Sequence, residues 1–364
     1  MRRHVFLLFL VFGLAACAPR ASLIFAPGLT ADLPTREVFV ATSRVFDGKA
    51  FGSGRAQGLT YLRFDISIPP QREAGAIPTS RREVDPNTQF LVQGSTVYPD
   101  DTAFRNRIRT ALNARRGGAR EVIVYVHGFN NTFDEGILRL AQLAEDFGVG
   151  GVPVHYSWPS AGQVFAYAYD RDSVLFARDG LNKLITEVKA AGAENIIIVG
   201  HSVGSHLVME VLRERAIARP GSVAQEIDGV ILISPDIDVQ LFKAQARRIG
   251  DLPDPFGIFV SRRDRALALS ARLTGQRDRL GNATASELSD IEVTLVDVTE
   301  FSKGAGHFTI GDAPALLRIF GNAGSFEAAF RGDSAGRAGL LPGTVLTVQN
   351  ATEIILSPVT ALAR

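Results

Sequence analysis

The chain has 364 residues, 46% of them hydrophobic, enough to bury a large core in one α/β domain or two small ones. Lys plus Arg (39) balances Asp plus Glu (38), which argues against an electrostatically driven partner such as nucleic acid. A single cysteine excludes an internal disulfide.

At the N-terminus, Arg2 and Arg3 precede the apolar run VFLLFLVFGLAA. That is the length of a signal-peptide core and too short for a free-standing transmembrane helix. The run ends in Leu14-Ala15-Ala16-Cys17, which resembles a bacterial lipobox, where the thiol is lipidated and becomes the mature N-terminus. The bland reading is an ordinary secretory signal with a chance cysteine. No other stretch is apolar enough to span a bilayer, so acyl chains would be the only anchor. Ala18 follows the cysteine instead of Asp, which by resemblance to enteric lipoproteins implies the outer membrane, facing the periplasm.

Residues 18–36 are rich in Pro, Ala and Gly and read as a tether. EVFVATSRV (37–45) and LTYLRFDISIP (59–69) read as strands, and 70–100 as loop. The next segment, DDTAFRNRIRTALNARRGG, reads as a helix with Phe104, Ile108 and Leu112 on one face. Asp100 and Asp101 lie at its positive end and Arg115 and Arg116 at its negative end, with Gly117-Gly118 as the stop. Strand-like runs then recur at 121–126, 151–158, 195–200, 228–234, 256–261 and 293–298. Helices are predicted between them near 134–147, 170–190, 203–218, 237–249 and 265–274. The strand runs are nearly continuous in Val, Ile and Leu, the pattern of strands buried on both faces. That predicts a mostly parallel central sheet with helices on both faces. After about 324 the pattern breaks. TVLTVQ and TEIILS are left to pair as a hairpin or to pack on the body.

Two G-x-S-x-G pentads occur, at Gly200–Gly204 and Gly332–Gly336. A nucleophile elbow needs a strand, a sharp turn and a helix. Ser202 has NIIIVG before it and VGSHLVMEVLRERA after it. Ser334 is followed by RAGLLPG, whose Gly and Pro argue against a helix, and no Asp or His lies downstream of it, so Ser202 is the candidate nucleophile. A serine hydroxyl needs a base, usually a His held in the right tautomer by a carboxylate. On this fold the chain order is Ser, acid, His. His307, in KGAGHFTIGD, lies beyond a later strand and is the candidate base; its bland reading is a surface-loop histidine. His206 reads as a packing or helix-surface residue.

Asp264, after FGIFVS, is the candidate acid, with a helix N-cap as its structural alternative. Asp236 and Asp238, in ISPDID, are rivals that also suit a cap. The oxyanion needs two fixed N–H donors. One is assigned to Val203 and the other to Phe129 in VHGFNNTF, with Asn130 as its alternative. Metal catalysis by His127, His155 and His201 is disfavoured, because there is no H-x-x-x-H spacing and no ligating Cys. No cofactor is called for.

Together YVHGFNNTFDEGILRLAQLAEDFGVGGVPVHYSWPSAG, GHSVGSHLVMEVL, ILISPDID and SRRDRALALS resemble the DUF900 alpha/beta hydrolase family, over about residues 37–320 with the opening FVATSR. The resemblance implies an α/β-hydrolase fold, with Ser202, Asp264 and His307 at the matching triad positions and no settled substrate. Val203 stands where many relatives have Met. Trp158, Pro159 and Ser160 match the family's SWPS; His127, Asn130, Trp158 and His201 are expected around the substrate, with structural packing as the alternative for Trp158.

The division is then a signal peptide (1–17), a tether (18–36), a hydrolase domain (37–323) and a C-terminal extension of unknown role (324–364). The expected function is a lipid-anchored ester hydrolase. A peptidase, thioesterase or acyltransferase on the same fold, or a non-catalytic envelope binding lipoprotein, remains as the alternative.

Overall fold

The computed structural model describes residues 20–30, 32–79, 83–115, 120–275, 278–302, 306–314, 316–317 and 343–356. Cys17, Gly304 and the second pentad with Ser334 lie outside the described residues.

Three strands open the chain: β1 (Thr35–Phe46), β2 (Phe51–Ser67) and β3 (Val92–Tyr98). The region read as loop at 70–100 therefore contains a strand. VQGSTVY carries too few apolar residues to signal one, and its pairing with β2 supplies the order. Helix α1 (Asp101–Ala114) follows, with Asp100 accepting from the Ala103 N–H as its cap. The alternating region then runs β4 (Glu121–Val126), α2 (Phe133–Asp146), β5 (Val152–Ser157), α3 (Tyr167–Phe176), α4 (Arg178–Ala190) and β6 (Asn195–His201). It continues with α5 (Val203–Ala218), α6 (Ser222–Glu226), β7 (Gly229–Ile233), α7 (Val239–Ile249), β8 (Phe256–Val260), α8 (Arg265–Leu273) and β9 (Val293–Asp297). A short α9 (Thr309–Asp312) and the strands β10 (Gly343–Val348) and β11 (Ala351–Leu356) complete the described chain.

The helix expected over 170–190 is two helices. The Ala177 carbonyl accepts from the Tyr156 hydroxyl at 2.8 Å, and the chain breaks there.

Among the described residues the strands form one sheet in the order β10-β11-β9-β8-β7-β6-β4-β5-β1-β2-β3. From β11 to β1 every neighbouring pair is parallel. The central strands bury both faces. In β6, Ile196 and Ile198 pack with α4, α5 and α7 on one side, while Ile197 and Val199 pack with α2 on the other. This two-sided burial is why these strands read as unbroken apolar runs. The two candidate partners at the C-terminus do both things expected of them: β10 and β11 pair antiparallel, and β11 adds to the sheet beside β9.

The segment read as a tether is fastened to the body over its described part. Arg20 donates to the Asn130 carbonyl (2.9 Å) and side-chain oxygen (2.7 Å), the Leu23 N–H donates to Asp134 (3.0 Å), and Phe25 bridges to Val92. Because β4, β5, β6 and β8 run parallel, their carboxyl ends deliver His127, Trp158, Ser202 and Asp264 to one edge of the sheet, where open α/β sheets hold their sites.

Candidate active site

Ser202 is the single residue between β6 and α5, with φ 53° and ψ −123°. A non-glycine residue there costs about 1–3 kcal/mol and persists only where its surroundings impose it. They do so here. The Ser202 N–H donates to the Ile233 carbonyl (2.9 Å), while the Ser202 carbonyl accepts from Asp236 (3.2 Å) and Ser205 (3.0 Å). Two glycines permit the turn. A Cβ on Gly204 would lie 2.3 Å from the His127 carbonyl oxygen, and one on Gly200 would lie 2.9 Å from the Ser205 Cα. So helix α5 starts hard against the end of β4, with the Val203 N–H in its first turn, where the helix dipole favours negative charge.

His307 lies in the loop before α9, and its Nδ1 is 2.8 Å from Asp264 Oδ2. The Asp264 side chain is fully buried and its other oxygen accepts from the Leu267 N–H at 3.0 Å, capping α8. The two readings of Asp264 are thus compatible, one oxygen serving each. Chained hydroxyls tie the His307 loop to the end of β8: Ser261 to Ser302 (2.6 Å) and Ser302 to Thr309 (3.1 Å). Gly306, at φ +66°, makes the turn that presents the imidazole. The His201 ring, next to Ser202 in sequence, lies 4.9 Å from the His307 ring and edge-on to Phe308. Burial, and then the neighbouring His307, hold the His201 imidazole well below its ordinary pKa. His201 is therefore a neutral support beside His307.

The rival carboxylates are occupied elsewhere. Asp236 is buried, accepts from Tyr167 (2.7 Å) and Ser270 (2.7 Å), and pairs with Arg279 at 3.2 Å. Asp238 caps α7 through the Leu241 N–H.

The loop after β4 lies directly against Ser202: a Cβ on Gly128 would be 2.9 Å from the Ser202 Cβ and 2.7 Å from His201 Nδ1. Glycine at 128 is what lets the loop that carries Phe129 pack this closely on Ser202. The alternative donor, Asn130, has its N–H directed to Asp170 Oδ2 at 3.3 Å. His127 and Trp158, expected near the substrate, are fully buried and stack 4.8 Å apart with 9° between their planes. Trp158 Nε1 donates to the His127 carbonyl at 2.7 Å. These two residues brace the loop from behind. Burial holds His127 well below its ordinary pKa and His155 at about 3. Among the described residues no group of three or more His, Cys, Asp or Glu side chains is placed to hold a metal ion.

Sequence reading missed two residues. Arg44 is buried at the end of β1 and donates to Ser157 Oγ (3.0 Å) and to the carbonyls of Gly52 (3.0 Å), Ser160 (2.9 Å) and Asn131 (2.9 Å). Burial lowers its pKa to about 10, still charged at neutral pH. Asp170 accepts from Ser160 Oγ (2.6 Å), the Ala161 N–H (2.6 Å) and the Asn130 N–H. Arg44 and Asp170 thus clamp the SWPS turn to the loop that carries Phe129. The available signal was an arginine within the apolar strand FVATSR; Asp170, in a polar helix, had none.

Arg44→Met is expected to cost about 3–5 kcal/mol in urea unfolding, because it strands buried carbonyls and the Asp170 charge. Arg44→Lys should fall between Met and wild type, since an ammonium cannot reproduce the planar fork.

A cavity of about 150 Å³ adjoins Val203, lined by Tyr167, Arg171, His206, Asp236, Leu241 and Arg279 among others.

A buried serine at a strained strand–helix turn on the carboxyl edge of a parallel sheet, preceded by His201, whose ring packs 4.9 Å from that of His307, is the layout of an α/β hydrolase. The chain belongs to the DUF900 family, described as an alpha/beta hydrolase of unknown function, which it matches over residues 100–319. No curated protein matches it. Among solved structures it is similar to a putative hydrolase from Agrobacterium vitis S4 (14% identity, 79% of this chain and 99% of that one, TM-score 0.34). Similar in the same degree are an esterase from Pyrococcus furiosus (11% identity, 77% and 86%, TM-score 0.32) and carboxyl esterase 2 from the fungus Tuber melanosporum (12% identity, 95% and 85%, TM-score 0.32). These likenesses are too slight to bear on function.

Proposed function

We propose that the protein is a lipid-anchored serine esterase of the bacterial envelope, acting through an acyl-enzyme. The supporting observation is the His307–Asp264 pair, 2.8 Å apart, with the His307 ring 4.9 Å from that of His201, the residue before Ser202 at the elbow. His307 takes the Ser202 proton as the hydroxyl oxygen attacks the acyl carbon, and Asp264 stabilises the resulting imidazolium. The Val203 and Phe129 N–H groups hold the oxyanion. His307 then protonates the departing alcohol. Water, deprotonated by His307, releases the acid and restores the serine.

Cys17 carries the acyl anchor in this reading, with the outer membrane, periplasmic face, as its place. No helix among the described residues is long and apolar enough to cross a membrane.

The cavity beside Val203 argues for a short acyl group. A space of about 150 Å³ is that of a benzene-sized guest, too small for a long alkyl chain, and its lining mixes Val203, Ile237 and Leu241 with charged groups such as Arg171, Asp236 and Arg279. With p-nitrophenyl esters of two to twelve acyl carbons, kcat/KM should peak at four carbons or fewer and fall at least about tenfold by ten. A rising series, or a preference for peptide anilides, overturns the short-ester assignment.

A further inference from the structure

The turn that follows SWPS carries an unexplained apolar tip. Phe165 is fully exposed and Val164 is 60% exposed. The base of the tip is rigidly held, with Ala161 bonded to Asp170 and the Ala166 N–H to the Gln163 carbonyl at 3.1 Å. Gly162, at φ +64°, sits where a Cβ would be 3.1 Å from Arg20 Nη1 and 3.2 Å from Thr132. Arg20 in turn grips Asn130, the residue after Phe129, and lies 3.4 Å from Glu135. Tyr167, just beyond the tip, packs edge-on against the Phe129 ring at 5.4 Å. So the start of the described chain, the apolar tip and the rim of the candidate site are one patch.

Arg20 is three residues from Cys17, a span of at most about 11 Å for extended chain. A lipid on Cys17 therefore brings a membrane surface to this patch. An acyl anchor fixes proximity but not orientation, whereas an exposed aromatic tip beside it fixes which face meets the lipid.

We infer that Val164 and Phe165 insert into the membrane surface that holds the anchor, so that the candidate site opens onto the lipid and takes esters presented there. The inference rests on the proposed anchor and goes beyond the proposed chemistry.

The test uses the full chain reconstituted on phosphatidylcholine vesicles. Trp158 is the only tryptophan and is buried, so the added indole of Phe165→Trp reports on the tip alone. Lipids brominated in the acyl chain should quench its fluorescence at least twofold and leave the wild-type signal nearly unchanged. The double variant Val164→Ser, Phe165→Ser should hydrolyse the butyrate ester of a long-chain alcohol carried in the vesicle about tenfold more slowly, and soluble p-nitrophenyl acetate at the wild-type rate. Absence of quenching overturns the inference, whether mass spectrometry finds Cys17 acylated or not, and so does equal loss on both esters. A protein that is quenched but hydrolyses neither ester keeps the docking and loses the esterase reading.

Discussion

Ser202→Ala is expected to abolish labelling by a fluorophosphonate probe and to lower ester hydrolysis by at least about 10⁴-fold. Loss of a serine nucleophile leaves only what binding and the oxyanion donors supply. The fold should not change. Alanine at φ 53° carries the same backbone strain as serine, and the Ser202 backbone bonds to Ile233, Asp236 and Ser205 involve no side-chain atom. The thermal midpoint should stay within about two degrees of wild type. Ser202→Gly should be equally inactive yet more stable by about 1 kcal/mol, because glycine adopts positive φ without penalty. Wild type that resists the probe would favour the non-catalytic envelope protein; a labelled Ser202→Ala would move the nucleophile elsewhere.

For Asp264, two substitutions separate the two tasks of one carboxylate. Asp264→Asn is expected to lower kcat by about 10³–10⁴-fold, since a neutral amide cannot balance an imidazolium and can stabilise the wrong His307 tautomer. Its stability should hold, because asparagine caps a helix as well as aspartate, and the bond from Leu267 at 3.0 Å is preserved. Asp264→Ala should lose the same activity and about 1 kcal/mol of stability as well. Urea unfolding with steady-state kinetics reads both. Near-wild-type turnover in Asp264→Asn would remove this carboxylate from the mechanism. Asp236 is poorly placed to replace it, being engaged by Arg279, Tyr167 and Ser270.

What could be read without coordinates is local and periodic. Unbroken apolar runs such as NIIIV imply strands covered on both faces, because only that burial repays so many adjacent hydrophobic side chains. The pentad at Gly200 stands out because a strand precedes it and a helix follows, and the helix ends are marked by Asp100, Asp238 and Asp264.

The tertiary structure decided what depends on residues far apart in sequence. Strand β3 is ordered by its pairing with β2, which the local composition of VQGSTVY does not announce. The 2.8 Å contact of His307 with Asp264, and the engagement of Asp236 elsewhere, separate carboxylates that sequence position left as rivals. Arg44 looks like any strand arginine until its donors meet carbonyls from two loops across the sheet edge. His127 and Trp158 occupy motif positions that suggest contact with substrate, and only the fold places them fully buried and stacked on each other. Periodicity and caps act within a few residues and leave their mark in the chain. Hydrogen bonds and ion pairs between distant segments leave none until folding brings the partners together.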